Sequence, residues 1–517
     1  MAANEENADA VDGSEGETKS VKARKRKVKE TLSSLNMTVG EHFDPPVIAV
    51  LGSGGGLRAM IGFLGTISKL AELNLLGAVT YIAGISGSTW CISSLYSESD
   101  WSDFSRMEGL EIELCEQIKS ENERDWTEPW KKMKEKFLGN SFSLTDFWAY
   151  TFVFSVINVI NEGKLSSHQK MCEDGKVPYP IYSAVAQDKI HEHDSEVWFE
   201  FTPHRSGFPS NKCYVKTEHL GCLFKEGLLL EEQPEHDLIY LQGLWGSAPG
   251  ADWMMLFVRK TYKKLKEIIT GAKDGTVSFF SRTWTRIKSW YTGKKEEVPS
   301  DPIFLVLGAV QEKSWSEYLQ DVYMNAKVIK NLTSCLAHWK WGTLNNFLYK
   351  CKDKIPEGSH LFGTKQISLV DAGLEINTPY PLVLPPYRKV DLILSFDFSQ
   401  GDPFETLKKT AEYCEEHKIP FPNTEESYEY PPTKSCYVFE GDGKEIPDVM
   451  HFPLFNTQTC GDAEKIKTLI KTYATRVHSY DDSMMKKLLD IAKKNVENSL
   501  DQMKYKIKQC VWRSNQE

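Results

Sequence analysis

The sequence has no long apolar run, no C-x-x-C motif and no excess of positive charge. No stretch of about 18 consecutive apolar residues occurs in its 517 residues, so we expect no membrane-spanning helix. The first thirty residues are polar and include no apolar segment of a secretory signal, so we expect no leader. The net charge of −10 argues against nucleic acid as a partner, because nucleic-acid-binding surfaces are usually basic.

The 11 cysteines are scattered along the chain. An odd, unpatterned set of cysteines is typical of reduced thiols in a cytosolic protein, so we expect a cytoplasmic location. Because the whole chain is acidic, attraction to an anionic surface has to come from local basic patches. A hydrophobic content of 41% indicates an ordinary folded protein with enough apolar material for a core.

Residues 1–44 form a polar segment that is acidic first and basic afterwards. Large apolar side chains are few there, and such a composition cannot offset the entropy lost on ordering the chain. We therefore expect residues 1–44 to be a disordered tail and residues 45–517 to form a single folded domain.

Two strand–turn–helix units open the folded part. The apolar run VIAVL at residues 47–51 is typical of a strand buried on both faces of a sheet, and apolar residues at helical spacing follow it. A second strand is expected at residues 79–82, again followed by a helix. This alternation predicts an α/β fold. Residues 303–307 and 392–396 are further candidate strands, and residues 479–508 are predicted to form one long closing helix.

Ser86 is the candidate nucleophile. The motif GISGS at residues 84–88 lies between a predicted strand and a predicted helix. A serine on such a sharp turn has its hydroxyl lifted clear of the sheet, and the helix behind it offers N–H groups and a positive dipole end to a developing oxyanion. The hydrolase pattern G-x-S-x-G ends here in Ser88, so the motif alone leaves a structural turn open.

The motif GSGGG at residues 52–56 favours the same chemistry. Three consecutive glycines leave backbone N–H groups open to a ligand, as in the oxyanion loops of lipases. A phosphate loop would need Gly-Lys-Ser/Thr, whereas Leu57 and Arg58 follow here. The dinucleotide pattern G-x-G-x-x-A also fits, but GIS stands where an acidic residue should meet the ribose. A plain turn is the third alternative, and the serine motif one helix later favours an oxyanion loop.

Arg58 and Asp371 are the charged candidates. The planar guanidinium of Arg58 suits a phosphate beside the reacting ester, and the alternative is an ordinary ion pair. A serine needs a base, but His417, His451 and His478 do not lie in glycine-flanked turns at the ends of predicted strands. Asp371 ends a short apolar run before two small residues, a pattern that is also typical of a turn-capping aspartate. The residues alone leave the base open.

Eight long motifs resemble the catalytic domain of the cytosolic phospholipase A2 family, and within it the gamma group most of all. The resemblance runs from about residue 45 to about residue 498. It implies a mixed central sheet with helices on both faces and an inserted lid or cap. The motifs are GSGGGLRAM at 52–60, YIAGISGSTW at 81–90, FSLTDFW at 142–148, WFEFTP at 198–203, GLWGSA at 243–248, WGTLNNFL at 341–348, VDAG at 370–373 and ILSFDFS at 393–399.

The resemblance implies a Ser–Asp dyad without a catalytic histidine, in which Ser86 is the nucleophile and Asp371 the general base. It implies oxyanion donors on the backbone of Gly55 and Gly56, and it implies that Arg58 contacts the substrate phosphate. An apolar lipid pocket would desolvate the carboxylate and raise its proton affinity, which makes this base chemically reasonable. No metal or cofactor is implied.

Some family features are not expected to carry over. Most relatives have a calcium-binding β-sandwich, which needs on the order of 100 residues, whereas only about 45 precede the first predicted strand. Calcium-triggered docking is therefore not expected. The gamma group resembles a C-terminally prenylated protein, but Cys510 lies too far from the end for a C-a-a-X signal. The choice of Asp371 rests on the resemblance, and Asp391 and Asp397 are the alternatives.

Residues 251–297 are rich in aromatic and basic residues and are predicted to be an insertion. Basic amphipathic helices with aromatic residues bind membrane interfaces, whereas the alternative is a helix packed on the domain's own core. Its position in a lipase-like chain favours an interfacial lid. The apolar stripe comprises Val277, Phe280, Trp284, Ile287 and Tyr291.

Together these observations predict calcium-independent hydrolysis of glycerophospholipid acyl esters, with phospholipase A2, lysophospholipase and some transacylase activity. The expected partners are phospholipid and lysophospholipid substrates and an intracellular membrane surface, bound peripherally and reversibly. One alternative is a patatin-like hydrolase of neutral lipids, which would have little use for a phosphate-reading Arg58. The other is an inactive lipid-binding scaffold, which would not need Ser86, Asp371 and the triple glycine together.

Overall fold

The computed structural model describes residues 14–40, 42, 44–118, 127–138, 143–190, 195–248, 341–424, 428–477 and 479–516. The predicted insertion at 251–297 and the candidate strand at 303–307 lie outside the described residues. The strands are β1 Ile48–Gly52, β2 Tyr81–Gly84, β3 Tyr179–Ala186, β4 Trp198–Phe201, β5 Arg205–Phe208, β6 Cys213–Lys216, β7 Leu223–Lys225, β8 Leu228–Glu231, β9 Thr343–Asn345, β10 Gln366–Asp371, β11 Leu392–Asp397, β12 Tyr437–Phe439 and β13 Asp448–Pro453.

Helices connect and cover these strands, and a π-helical stretch spans Ala149–Val153. The helices are α1 Ser14–Ser34, α2 Leu57–Glu72, α3 Gly87–Leu95, α4 Phe104–Ile118, α5 Thr127–Leu138, α6 Leu144–Trp148, α7 Phe154–Ile157, α8 Gln169–Glu173, α9 Leu238–Trp245, α10 His360–Gly363, α11 Tyr380–Val383, α12 Glu405–His417, α13 Thr457–Cys460, α14 Ala463–Thr472, α15 Asp482–Asn498 and α16 Leu500–Ser514. Every described helix is too short or too polar to cross a bilayer.

The central sheet is mixed, with the strand order β12-β13-β11-β1-β2-β3-β4-β5-β6. Its middle, from β13 to β3, is parallel. The flanking pairs β12–β13, β3–β4, β4–β5 and β5–β6 are antiparallel. All residues of β1, β2 and β11 are buried, as the apolar runs in their sequences predict. The predicted α/β class with a mixed sheet is therefore confirmed.

Helix α2 is buried on nearly all sides, from Leu57 to Ala71. A helix that is apolar all round needs cover on every face. The cover opposite the sheet comes from α15, where a Cβ on Gly65 would lie 3.0 Å from the Leu489 carbonyl oxygen. Lys69 of α2 also pairs with Glu497 of α15 at 2.7 Å. This packing fixes the middle and the last turn of α2, whose first residue, Leu57, follows the glycine motif.

Helix α1 corrects one prediction. Residues 14–34 were expected to lie in a disordered tail, but they form a helix with one buried face. That face carries Glu17, Arg24, Val28 and Leu32, at spacings of four or seven residues. The prediction of disorder is therefore wrong for residues 14–34, and residues 1–13 lie outside the described part of the chain.

The stabilisation of α1 comes from partners far away in the sequence, which composition does not reveal. Arg24 donates to four backbone carbonyls, including those of Val79 and Leu76 at 2.9 Å each. Glu17 accepts from Arg205 at 2.7 Å and from Arg388 at 2.9 Å. Buried charges of this kind are tolerated when each has a well-placed partner.

The predicted closing helix is two helices. Helix α15 ends at Asn498 and α16 begins at Leu500, and Ser499 lies between them. The Ser499 hydroxyl donates to the carbonyl oxygen of Asn495, four residues earlier, at 3.0 Å. Serine hydroxyls that bond backward in this way compete with the helical backbone and bend helices.

Candidate active site

Ser86 occupies a strained turn between β2 and α3. Its backbone has φ 52° and ψ −121°, in a region that residues with a side chain rarely adopt. Such a conformation costs about 1–3 kcal/mol and persists only where the surrounding structure enforces it. Ser86 is the N-cap of α3 but makes no capping hydrogen bond with its side chain. The hydroxyl is thereby left at the positive end of the helix, as the sequence motif predicts.

The glycine motif forms a second turn of the same shape beside the first. Gly56 has φ 60° and ψ −137° and is the N-cap of α2. The two turns touch, because a Cβ on Gly87 would lie 1.9 Å from the Gly56 carbonyl oxygen. A Cβ on Gly54 would lie 3.2 Å from Ser86 Cβ. The amino ends of two helices therefore converge near the serine, where their N–H groups suit an oxyanion.

Asp371 reaches this place through the pairing of β3. Strand β2 pairs with the first half of β3 and ends at Gly84, opposite Tyr182. Strand β10 runs antiparallel to β3 and ends at Asp371, opposite Ala184. Because β4 pairs with the other edge of β3, β10 lies on the same edge as β2. It pairs with the part of β3 that follows the end of β2. The two strand ends thus face positions about 7 Å apart on β3, which brings Asp371 beside the turn of Ser86.

The Asp371 carboxyl group is fully buried and hydrogen-bonded. Oδ1 accepts from Gly373 N–H at 2.9 Å, and Oδ2 accepts from Ala248 N–H at 3.3 Å. Burial raises the pKa of Asp371 to about 6, and hydrogen bonds from Gly373, the Ser86 hydroxyl and Ala248 limit the rise. Its own N–H donates to Ser247 Oγ at 3.0 Å. The carboxylate thus contacts the candidate nucleophile and has a proton affinity near that of a useful base.

The other candidate bases lie elsewhere. Asp391 precedes β11 and accepts from Val47 N–H at 2.7 Å, at the opposite end of the parallel strands from Ser86. His451 is buried, bonds the Pro403 carbonyl oxygen at 2.9 Å and has its pKa lowered by burial to about 4. His417 ends α12, and His478 lies outside the described residues. Among the described residues, no histidine bonds Ser86 or Asp371.

Arg58 is buried beneath the glycine turn. Its Nε donates to the Phe398 carbonyl oxygen at 2.7 Å, Nη1 to that of Tyr473, and Nη2 to Thr475 Oγ1 at 3.2 Å. Burial lowers its pKa to about 10, so it stays charged at neutral pH. With 1% exposure the guanidinium is engaged by the protein. Its predicted contact with the substrate phosphate stays a prediction, and its visible contacts anchor the turn.

The contacts of two residues near the site, Asp397 and Asn377, were not predicted from the sequence. Asp397, named only as an alternative base, bonds Ser399 rather than Ser86, and burial raises its pKa to about 7. Asn377, which the sequence reasoning did not single out, bonds both Gly54 and Ser399. The sequence carried a signal for Asp397, because the motif ILSFDFS spans the end of β11, the strand that lies beside β1. Among the described residues, no group of three or more potential ligands could hold a metal ion.

Comparisons with known proteins show the family of the chain and its fold. A model of the lysophospholipase catalytic domain matches residues 48–293. Cytosolic phospholipase A2 gamma of Mus musculus is 37% identical over 94% of this chain and 89% of its own length. The gamma protein of Homo sapiens is 38% identical over 93% and 92%. Cytosolic phospholipase A2 zeta of Mus musculus is 34% identical over 86% of this chain and 53% of its own length.

A solved structure of human GIVD cytosolic phospholipase A2 has the same fold, with a TM-score of 0.70 over 97% of this chain and 67% of that one. At 21% identity this likeness supports the fold alone. The fold and the matches define the class of the protein as a phospholipase with a lysophospholipase-type catalytic domain. The chain belongs to the cytosolic phospholipase A2 family.

Proposed function

We propose that the protein hydrolyses fatty-acyl esters of phospholipids and lysophospholipids through an acyl-enzyme on Ser86. Asp371 is the general base, and the reaction needs no calcium. The observation that carries the proposal is the contact between the Ser86 hydroxyl and a buried carboxyl whose pKa burial raises to about 6. A carboxylate with that proton affinity accepts a proton more readily than an exposed aspartate, and it is ionised at neutral pH.

In the first half of the reaction Asp371 accepts the Ser86 proton as Oγ attacks the acyl carbonyl carbon. The negative charge that develops on the carbonyl oxygen is stabilised by the N–H groups of Gly55 and Gly56. One such donor is worth about 10²–10³-fold in kcat. The C–O bond to the glycerol then breaks, the leaving alkoxide takes the proton from Asp371, and the acyl group stays on Ser86.

In the second half a water molecule gives its proton to Asp371 and attacks the acyl carbon. The Ser86–acyl bond breaks, Ser86 regains the proton, and the fatty acid leaves. An alcohol in place of water would transfer the acyl group instead, which is the proposed transacylase reaction. Neither half-reaction as written has a step that requires a metal ion.

The proposal includes a contact between Arg58 and the substrate phosphate. The donors would be the guanidinium N–H groups that do not bond to the protein. A guanidinium carries five N–H donors, and three protein acceptors are assigned to it here. We also propose a cytosolic location with reversible attachment to intracellular membranes. The basic and aromatic segment at 251–297 supports that attachment through its composition.

The test is release of labelled fatty acid from phosphatidylcholine vesicles and from lysophosphatidylcholine in excess chelator. Ser86→Ala and Asp371→Asn should lose activity while remaining folded. Ser93→Ala is the matched control for the serine. Ser93 is buried in α3, the helix that Ser86 caps, and its hydroxyl donates to the Trp90 carbonyl oxygen at 3.1 Å. Asp391→Asn is the control for the aspartate, because it lies at the far end of the parallel strands.

Activity in the parent and both controls, lost in Ser86→Ala and Asp371→Asn, would support the dyad and calcium independence together. Activity that survives Ser86→Ala would contradict the mechanism. A parent inactive on both phospholipids but active on triacylglycerol would favour the neutral-lipid alternative. A parent that binds vesicles but cleaves none of these esters would favour the lipid-binding scaffold.

A further inference from the structure

Asn377 joins the glycine turn to the loop that follows Asp371. It lies between β10 and α11, six residues after Asp371. Gly54 N–H donates to the Asn377 carbonyl oxygen at 3.0 Å. In return, Asn377 Nδ2 donates to the Gly54 carbonyl oxygen at 3.1 Å. This reciprocal pair holds Gly54 as a strand partner would, although neither residue belongs to a strand.

The amide oxygen of Asn377 lies between the two turns. A Cβ on Gly54 would lie 2.5 Å from Oδ1, and a Cβ on Gly373 would lie 3.0 Å from it. Gly54 is next to the proposed oxyanion donor Gly55. Gly373 is the residue whose N–H donates to the Asp371 carboxylate at 2.9 Å. One side chain therefore touches both the oxyanion loop and the turn that orients the base.

A second contact fixes the orientation of the amide. Nδ2 also donates to Ser399 Oγ at 2.8 Å, and the Ser399 hydroxyl donates to Asp397 Oδ2 at 3.0 Å. Ser399 N–H donates to the other oxygen of Asp397 at 2.8 Å. Because the Ser399 proton is directed at the carboxylate, its oxygen is free to accept from Asn377. The charges that act on Asp397 are Arg58, which attracts it, and Asp402, which repels it.

The residue between Asp397 and Ser399 completes a second path to the same turn. Phe398 N–H donates to Ser53 Oγ at 2.7 Å, and its carbonyl oxygen accepts from Arg58 Nε at 2.7 Å. The glycine turn is thus held from one side by Phe398 and Arg58, and from the other by Asn377. Among the described residues, the hydrogen bonds between the turn and the loop of the base are those of Asn377, and the apolar side chain of Ile85 also lies near both Gly54 and Gly373.

We infer that Asn377 is a positioning residue that holds the glycine turn in register with Asp371, so that the donors on Gly55 and Gly56 meet the oxyanion while Asp371 meets Ser86. The inference rests on the proposed function, because it assigns Asn377 to that reaction. A misplacement of about 1 Å in an active site can cost about 100-fold in rate. An asparagine that merely stabilised two loops would change the unfolding temperature without a selective effect on kcat.

The experiment compares Asn377→Ala and Asn377→Asp with the parent and with Asn346→Ala. Asn346 is a matched control, because its buried amide donates to the carbonyl oxygens of Leu361 and Thr364 at 2.6 and 2.7 Å. The measurements are Tm, kcat and KM on lysophosphatidylcholine, and the rate at which a long-chain fluorophosphonate labels Ser86. Asn377→Asp keeps the shape of the side chain but removes the donor when ionised, and it provides the comparison if Asn377→Ala does not fold.

We expect both Asn377 variants to lose about 10- to 100-fold in kcat and in labelling rate, with KM within about two-fold of the parent. Asn346→Ala should lower Tm by a similar amount but keep kcat and labelling near the parent values. Labelling and kcat within about two-fold of the parent in a folded Asn377 variant would overturn the inference. A parent that is not labelled, or Ser86→Ala labelled equally fast, would overturn the proposed function, and the inference with it.

Discussion

Asp371→Asn should make the protein more stable at neutral pH while it abolishes activity. The Asp371 carboxyl is fully buried, and its pKa is raised from 3.8 to about 6. Because the pKa is higher in the folded than in the unfolded protein, the folded state binds the proton more tightly, and the ionised form destabilises the fold. The difference corresponds to about 3 kcal/mol above pH 7. Asparagine cannot ionise, so the substitution removes this cost.

The sign and the pH window follow from the same values. The cost is almost fully present above about pH 7, falls to about half at pH 5 and to about a fifth at pH 4, and is nearly absent at about pH 3. The gain from Asp371→Asn should decline in the same way as the pH falls. The amide would also place a donor near Ala248 N–H, where the carboxylate now accepts at 3.3 Å, so about 3 kcal/mol is an upper value.

The assay is thermal unfolding of the parent and of Asp371→Asn between pH 5 and pH 8. For a chain of this length, about 3 kcal/mol corresponds to about 3 °C in Tm. Asp391→Asn is the control, because it makes the same change of side chain at the opposite end of the parallel strands. An Asp371→Asn protein that is less stable than the parent at pH 8, or a gain that does not change with pH, would refute the reasoning about buried charge at the site.

Three further outcomes are expected. The kcat/KM of the parent should fall as the pH drops through about 6, because protonated Asp371 cannot act as a base, and a profile flat from pH 5 to 8 would contradict this. Glu17→Gln should cost about 3–5 kcal/mol of stability in thermal unfolding, because two buried arginines lose a shared partner, whereas exposed Glu15→Gln should cost almost nothing. Arg58→Lys should lower kcat on phospholipid more than on a phosphate-free ester, because lysine loosens the turn for both substrates and weakens the proposed phosphate contact for the phospholipid alone. Equal losses on the two substrates would contradict the phosphate contact.

The parts of the site that sequence reasoning located are those written in short, contiguous motifs. Ser86 and the glycines at 54–56 each follow an apolar strand and precede a helix. The local pattern therefore places both at the carboxyl ends of parallel strands. The position of Asp371 depends on a long-range pairing. Strand β10 pairs with β3 on the same edge as β2, just beyond the point where β2 ends. No local signal specifies that pairing, which is why the residues alone left the base open and the family resemblance was needed.

Long-range polar contacts account for what was missed. Composition predicted disorder for residues 14–34, because the partners that stabilise α1, such as Arg388 for Glu17, lie hundreds of residues away. The phosphate contact of Arg58 stays a prediction, and its contacts with Phe398 and Tyr473 were missed because they depend on where β11 and α14 end. Asn377 has no motif of its own, and its importance is visible only when three loops are brought together.

The most direct test of the account is to trap the acyl-enzyme and locate it. Parent protein would be mixed with phosphatidylcholine carrying a labelled acyl chain, quenched in acid within milliseconds to seconds, digested and examined by mass spectrometry. The account predicts a fatty-acyl ester on the peptide that contains Ser86, absent from Ser86→Ala and strongly reduced in Asp371→Asn. Labelled fatty acid released at the normal rate with the acyl group on another residue, or with the same adduct in Ser86→Ala, would contradict it.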